Sequence, residues 1–235
     1  MNVRAIAHDL TASLGLETAP IALAQADVAP AGVPAFEGTV PSACTFWRRA
    51  ETAVFYAPAD RHFRCPIGAM VMGFDLPADV KGELMSLVGA MVKDGYIGED
   101  EAARIPALPR ASKGAVYGPL ADFPIEPDFI LLWLTPRQAM IMSEASGASH
   151  WTTFNPPGVL GRPACAAIPM SASRGSAAVS LGCAGMRTYT EIADDRMLAV
   201  VPASGVRSLT AAFATTLTAN RAMTAFYERR KAGAA

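Results

Sequence analysis

Apolar residues recur at Val3, Ile6, Ala7, Leu10 and Leu14. This spacing of three and four predicts an amphipathic helix over residues 1–16, with Gly15 helping to end it. Residues 20–26 (PIALAQA) read as a short buried strand, and a loop carrying Pro30, Gly32, Pro34 and Gly38 follows. Pro41 and Ser42 open a second helix through Cys44, Phe46, Trp47 and Ala50, and the β-branched and aromatic run 52–57 (TAVFYA) is a strand. Cys65-Pro66 has the form of a helix start, because proline lacks only an N–H that would be unpaired there. That helix runs through Ile67, Met70, Val71 and Met72 to Gly73. Residues 77–93 form a further helix, with Val80, Leu84, Leu87, Val88 and Met91 on one face and Gly95 at its end. A short helix over 99–105 and a strand over 115–120 complete this part of the chain.

The run 128–134 (DFILLWL) is the strongest strand, and its unbroken apolar character predicts burial on both faces. Pro136 starts a helix through Ala139, Met140, Ile141 and Met142. Residues 147–163 are polar and rich in glycine and proline, and include His150, Trp151 and Asn155. A strand over 176–181 (SAAVSL) ends in Gly182-Cys183-Ala184-Gly185, and 197–202 (MLAVVP) is another. A long helix over 206–231 carries Leu209, Phe213, Leu217, Met223 and Phe226.

The two halves share an order. Each opens on an apolar strand, continues through an Ala-Cys pair (Ala43-Cys44, Ala164-Cys165), and leads by a strand to a second cysteine close to glycine (Cys65 with Gly68, Cys183 with Gly185). The expectation is an α/β fold, with α+β as the neighbouring alternative: a mixed sheet with packed helices in one domain over 1–235, built from related halves at 15–120 and 125–231.

Composition narrows the function. Of 235 residues, 51% are hydrophobic and 17% charged, which excludes a disordered chain. The net charge of -1 gives no general attraction to nucleic acid or anionic lipid, so neither is an expected partner. The run Phe129–Leu134 is far short of the roughly 20 apolar residues that span a bilayer. Asp9 and Glu17 interrupt any secretory signal, so the expected setting is cytoplasmic.

In a reducing compartment the four cysteines, Cys44, Cys65, Cys165 and Cys183, are read as thiols, metal ligands or nucleophiles rather than disulfides. No C-x-x-C pair exists, so zinc-ribbon and thioredoxin patterns are absent. Cys65 at a helix start and Cys183 on a glycine-flanked turn are where backbone N–H groups favour thiolate, the form that binds soft metals and clusters. Arg48 and Arg187 each follow a cysteine by four residues, one helical turn away, and are candidate anion or substrate anchors. His62 and His150 are candidate ligands or proton carriers, whereas His8 reads as exposed. The methionines at 70, 72, 140 and 142 read as core, and Asp194-Asp195 as a solvated turn. No G-x-G-x-x-G, P-loop or G-x-S-x-G pattern is present.

The stretches 44–50 (CTFWRRA), 63–69 (FRCPIGA), 127–140 (PDFILLWLTPRQAM) and 180–187 (SLGCAGMR), with Asp194-Asp195 before a strand, resemble the domain of unknown function 169 family, a cysteine-containing group from archaea and bacteria. The similarity covers about residues 15–230, and Ser-Leu-Gly-Cys-x-Gly-x-Arg is its most specific part. The resemblance implies that the cysteines matter and names no reaction.

The leading expectation is an iron–sulfur protein in which Cys44, Cys65, Cys165 and Cys183 ligate a [4Fe–4S] cluster and a small molecule or redox partner meets it. With three ligands, an open iron would act as a Lewis acid, and the fourth cysteine or His62 would work beside it. A haem or other tetrapyrrole site is a variant. The alternative is a metal-free thiol enzyme, with Cys183 as nucleophile, Arg187 as anion anchor and His62 or His150 as base. A third reading is a binding module whose cysteines pack as small apolar groups.

Overall fold

A computed structural model describes residues 1–147 and 159–233 of the chain. The expected loop residues His150, Trp151 and Asn155 lie outside the described residues. The elements run α1 (Val3–Leu14), β1 (Ile21–Ala26), α2 (Thr45–Ala50), β2 (Phe55–Pro58), α3 (Pro66–Val71), α4 (Ala78–Lys93), α5 (Glu99–Ala102) and β3 (Gly114–Pro119). They continue with β4 (Phe129–Leu134), α6 (Pro136–Ala145), β5 (Val159–Leu160), α7 (Ala167–Arg174), β6 (Ala178–Ser180), α8 (Ala184–Thr190), β7 (Met197–Pro202) and α9 (Ala203–Gly233). The fold is a mixed α/β arrangement.

The strands form one sheet in the order β2-β3-β1-β4-β7-β6-β5. Every pair is antiparallel except β5 with β6. Reading outward from the central β1–β4 pair gives the same layout on both sides. The first strand neighbours the last of its half (β1–β3, β4–β7), and the middle strand lies beyond it (β2, β6). The edge repeats too: Ala35 bridges Tyr56 of β2 in parallel, as β5 pairs with β6.

Both faces of the sheet are covered. Ile21, Leu23, Phe129, Leu131, Trp133, Leu198 and Val200 point to one side, where α2, α3, α7 and α8 pack. Their alternating neighbours, Ala22, Ala24, Ile130, Leu132, Leu134, Ala199 and Val201, point to the other side with α1, α6 and the start of α9. β4 is buried at every position, which explains its unbroken apolar run. Such runs are typical of parallel sheets. Here a central antiparallel strand has one because helices cover both of its faces.

Local chemistry fixes the helix ends. Gly15 takes the left-handed conformation (φ 63°) and closes α1. Thr135 and Gln138 form a reciprocal cap on α6. Two helices differ from the sequence reading. The sequence reading places no element over 167–174, where the structure has α7 with Pro169 inside it. In α9 only Val206, Leu209 and Phe213 are buried, while Met223 and Phe226 are exposed, so the helix outruns the body it packs on. Of the methionines at 70, 72, 140 and 142 that read as core, Met72 and Met142 are buried and Met140 is exposed. Among the described residues, no helix is long and apolar enough to cross a membrane.

Candidate functional site

On the face covered by α2, α3, α7 and α8, four short connections place the cysteines around one cavity of about 280 Å³. Cys44 stands at the N-terminus of α2, Cys65 at that of α3, and Cys183 caps α8 through its sulfur. Cys165 sits in a 3-10 turn (Ala164–Ala166) that feeds into α7. All four line the cavity and all are free thiols. Each half thus contributes strand, cysteine, strand, cysteine, strand.

The cradles are built from small residues. A Cβ on Gly68 would stand 3.0 Å from the Cys65 sulfur and 3.2 Å from the Ala43 Cβ, so glycine makes room for the thiol. Gly182 has φ 95°, and a Cβ there would come within 2.6 Å of the Met186 side chain. Its backbone turns the chain so that the Met186 N–H donates to the Cys183 sulfur at 3.4 Å. Ser180 ties the two cysteine loops of the second half together: its hydroxyl donates to the Gly161 carbonyl (3.1 Å) and accepts from the Gly182 N–H (3.0 Å).

The sulfurs form an inner and an outer pair. Cys44 and Cys165 are buried; Cys65 and Cys183 are partly exposed. Burial pushes the Cys44 thiol well above its ordinary range, and the neighbouring Cys65 and Cys183 charges add to this. Burial does the same to Cys165, followed by Cys44, Cys65 and Cys183. The four groups therefore sense one another electrostatically. Among the described residues, no group of three or more His, Cys, Asp or Glu side chains is set to hold a single metal ion. A cluster asks for something different, because its thiolates bind neighbouring irons and stand farther apart than ligands of one ion.

The other expected site residues lie elsewhere. Arg48 pairs with Glu51 at 2.5 Å, and Glu51 also accepts from the Trp133 indole at 2.9 Å. Arg187 does lie one turn along α8 from Cys183, but its guanidinium donates to the Leu181 (2.7 Å), Arg196 (3.0 Å) and Ala193 (3.4 Å) carbonyls. It clamps the turn before β7. His62 is wholly buried among Phe46, Phe74 and Tyr117. Its Nδ1 bonds the Pro58 carbonyl at 3.0 Å and its Nε2 faces the Tyr117 hydroxyl at 2.9 Å. Burial lowers its pKa to about 4. A neutral ring donating to Pro58 leaves Nε2 to accept the Tyr117 proton. None of Arg48, Arg187 and His62 lines the cavity.

Two other arginines do. Arg64, next to Cys65, and Arg162, three residues before Cys165, stand at the cavity with Tyr96 and Glu101. The Arg162 guanidinium lies over the Tyr96 ring (4.6 Å to its centre) and 3.6 Å from the Glu101 carboxylate. The Tyr96 hydroxyl accepts the Ala184 N–H at 3.2 Å, joining this wall to the start of α8. Their adjacency to cysteines was the available sequence signal for the two arginines; Tyr96 had none, because its place depends on the α4–α5 connection.

The model of the domain of unknown function 169 family, described as uncharacterised ArCR, matches residues 9–211, a span that includes all four cysteines. The chain belongs to this family. Neither the curated proteins nor the solved structures include a significant match to it. The family assignment carries no reaction, so the chemistry of this domain of unknown function 169 member has to come from its cavity.

Proposed function

We propose that the chain holds an iron–sulfur cluster, in its simplest form [4Fe–4S], on Cys44, Cys65, Cys165 and Cys183 in a reducing, cytoplasmic setting. The observation that carries this reading is the meeting of four thiols, two from each half, at equivalent positions around one cavity. The donor set is all sulfur, which selects soft metals and clusters. The cavity, at about 280 Å³, lies just under the roughly 300–1,000 Å³ common for drug-sized ligands and favours a compact inorganic group over a tetrapyrrole.

Electrostatics points the same way. Cys44 and Cys165 resist ionisation because burial and the other thiolates oppose it. Four bare thiolates in so small a volume repel one another, and a cationic core offsets that repulsion as the protons leave. Ligation would then release protons from the inner pair, while Met186 N–H already supports the Cys183 sulfur. When bound, such a group supplies one-electron transfer, or Lewis acidity at an iron left open by one cysteine.

Anaerobic reconstitution with ferrous iron and sulfide tests the reading. About four iron and four sulfide per chain, with broad visible absorption and no Soret band, are expected. Serine at any one cysteine should lower the iron retained, with Cys65→Ser and Cys183→Ser keeping the native circular dichroism. Iron retention equal to wild type in the chain lacking all four thiols, or none in the wild type, overturns it.

The hydrogen bond from Met186 to Cys183 also favours a second reading, a metal-free thiol enzyme with Cys183 as nucleophile. His62 is not placed as its base, since both ring nitrogens are engaged in the core. Inactivation of colourless protein by one equivalent of iodoacetamide would favour this alternative.

A further inference from the structure

We propose that the mouth of the cysteine cavity binds a small organic carboxylate, held by Arg162, Arg64 and the Tyr96 hydroxyl above the outer sulfurs. The site stands on the cavity wall and needs no iron on the thiols, so it goes beyond the cluster reading. The charged residues lining the cavity are two arginines and Glu101, a net positive set. Arg162 is oriented, not loose: the Tyr96 ring lies beneath it and Glu101 stands beside its Nε. Its terminal nitrogens have no hydrogen-bond partner among the described residues, and Arg64 has no ion pair among them. A guanidinium edge with two parallel N–H groups matches a planar carboxylate. The Tyr96 oxygen already accepts from Ala184 N–H, which leaves its own proton free to donate.

The remaining wall sets the rest of the ligand. Ile67, Leu87, Met91 and Ile105 form an apolar side with no polar group to match a bare oxyanion. A short carbon skeleton fits there, and the cavity volume limits it to a few carbons. The ligand class is therefore an aliphatic carboxylate of small size, with its carbon end over the sulfurs.

Alkylation of the iron-free, reduced protein tests this without reference to a cluster. Iodoacetate is itself a small carboxylate, and iodoacetamide is its neutral counterpart. Each loses iodide as the thiolate sulfur takes the methylene carbon. For a free thiol such as N-acetylcysteine amide the rate ratio of the two reagents is a fixed reference. At Cys65 and Cys183, read by peptide mass spectrometry, the iodoacetate-to-iodoacetamide ratio should exceed that reference by about tenfold, the scale of a lost charge-assisted hydrogen bond. Butyrate should compete, and butyramide or inorganic phosphate should not. Arg162→Gln and Arg64→Gln should each pull the ratio back toward the reference. Glu101→Gln, which frees Arg162, should raise it, and this gain keeps the test decisive even if an arginine variant fails to fold. A wild-type ratio at the reference value, competition by phosphate equal to butyrate, no reaction of either cysteine with iodoacetamide, or ratios unmoved by all three variants overturns the proposal.

Discussion

The two halves place their strands and sulfurs alike but pack differently beneath them. In the first half, Phe36, Phe46, Phe55, His62, Phe74 and Tyr117 form a cluster of rings in mutual contact. In the second, small residues such as Ala164, Ala167 and Ala178 lie in the same layer with Ile168. His62 lies three residues before Cys65; three residues before Cys183 stands Ser180, whose hydroxyl serves two backbone groups. What the halves share is the path that delivers thiols to the cavity. What they do not share is how that path is supported, so the halves should respond differently to the same kind of perturbation.

The largest effect should come from the ring cluster. Phe46 meets four other rings, and Phe46→Ala should cost about 3–5 kcal/mol in denaturant unfolding. No single side chain of the second half has a comparable set of ring contacts among the described residues, and Ile168→Val should cost about 0.5–1.5 kcal/mol. Equal losses would break the contrast.

Acid comes next. The His62 pKa is about 4 when folded, against 6.5 for the free side chain, because burial disfavours the charged ring. The unfolded chain then binds the extra proton first. Stability from this group is fully present above about pH 6.5 and is lost as pH falls toward 4, by about 3 kcal/mol at the limit. Denaturant titrations at pH 7 and pH 4.5 should show this fall, and His62→Gln should flatten it. A fall unchanged in that variant would place the acid sensitivity elsewhere.

The inner and outer sulfurs sharpen the likeness of the halves, since each half has one of each. Iodoacetamide should modify Cys65 and Cys183 on the order of 100-fold faster than Cys44 and Cys165, which are buried and disfavoured as thiolates. A split along the halves, with both cysteines of one half reacting together, would mean that packing and not depth controls the thiols. Smaller effects than that of Phe46→Ala are expected at the glycines. Gly182→Ala must strain a φ of 95° and displace Met186, at a cost of about 1–3 kcal/mol. Gly68→Ala presses mainly on the Cys65 sulfur, so thermal melting should change less, by about 1 kcal/mol or below, while iron retention falls.

Much of this architecture was legible in the sequence. The strands at β1, β4 and β7 are apolar on both faces, the proline after Cys65 marks a true helix start, and the order of strands and cysteines exposes the likeness of the halves. The cluster of thiols is the three-dimensional result of that order. Charge partners were less legible. The four-residue spacing of Arg48 and Arg187 from cysteines holds only while the intervening segment is helical, and it does not say what the guanidinium meets. Arg48 meets Glu51, and Arg187 meets carbonyls on both sides of α8, Leu181 before it and Ala193 and Arg196 after it. His62 stands three residues before a site cysteine, but a histidine is recognised as core only once Phe46, Phe74 and Tyr117 surround it. The Tyr96 and Arg162 wall depends on contacts between residues far apart in sequence, which no local pattern encodes.

The segment carrying α4, Tyr96 and α5 lies between Cys65 and β3, whereas the second half crosses from Cys183 to β7 by α8 and a short turn. Two identical chains paired about a twofold axis would present four sulfurs at a mouth whose two sides were interchangeable. Such a mouth would grip either end of a guest in the same way. Joining the halves in one polypeptide lets them differ, so that Tyr96 of the first half and the guanidinium of Arg162 of the second make a wall on one side of the mouth. The two ends of the cavity are thereby unlike, and the carboxylate proposed for it would have one orientation in which to enter.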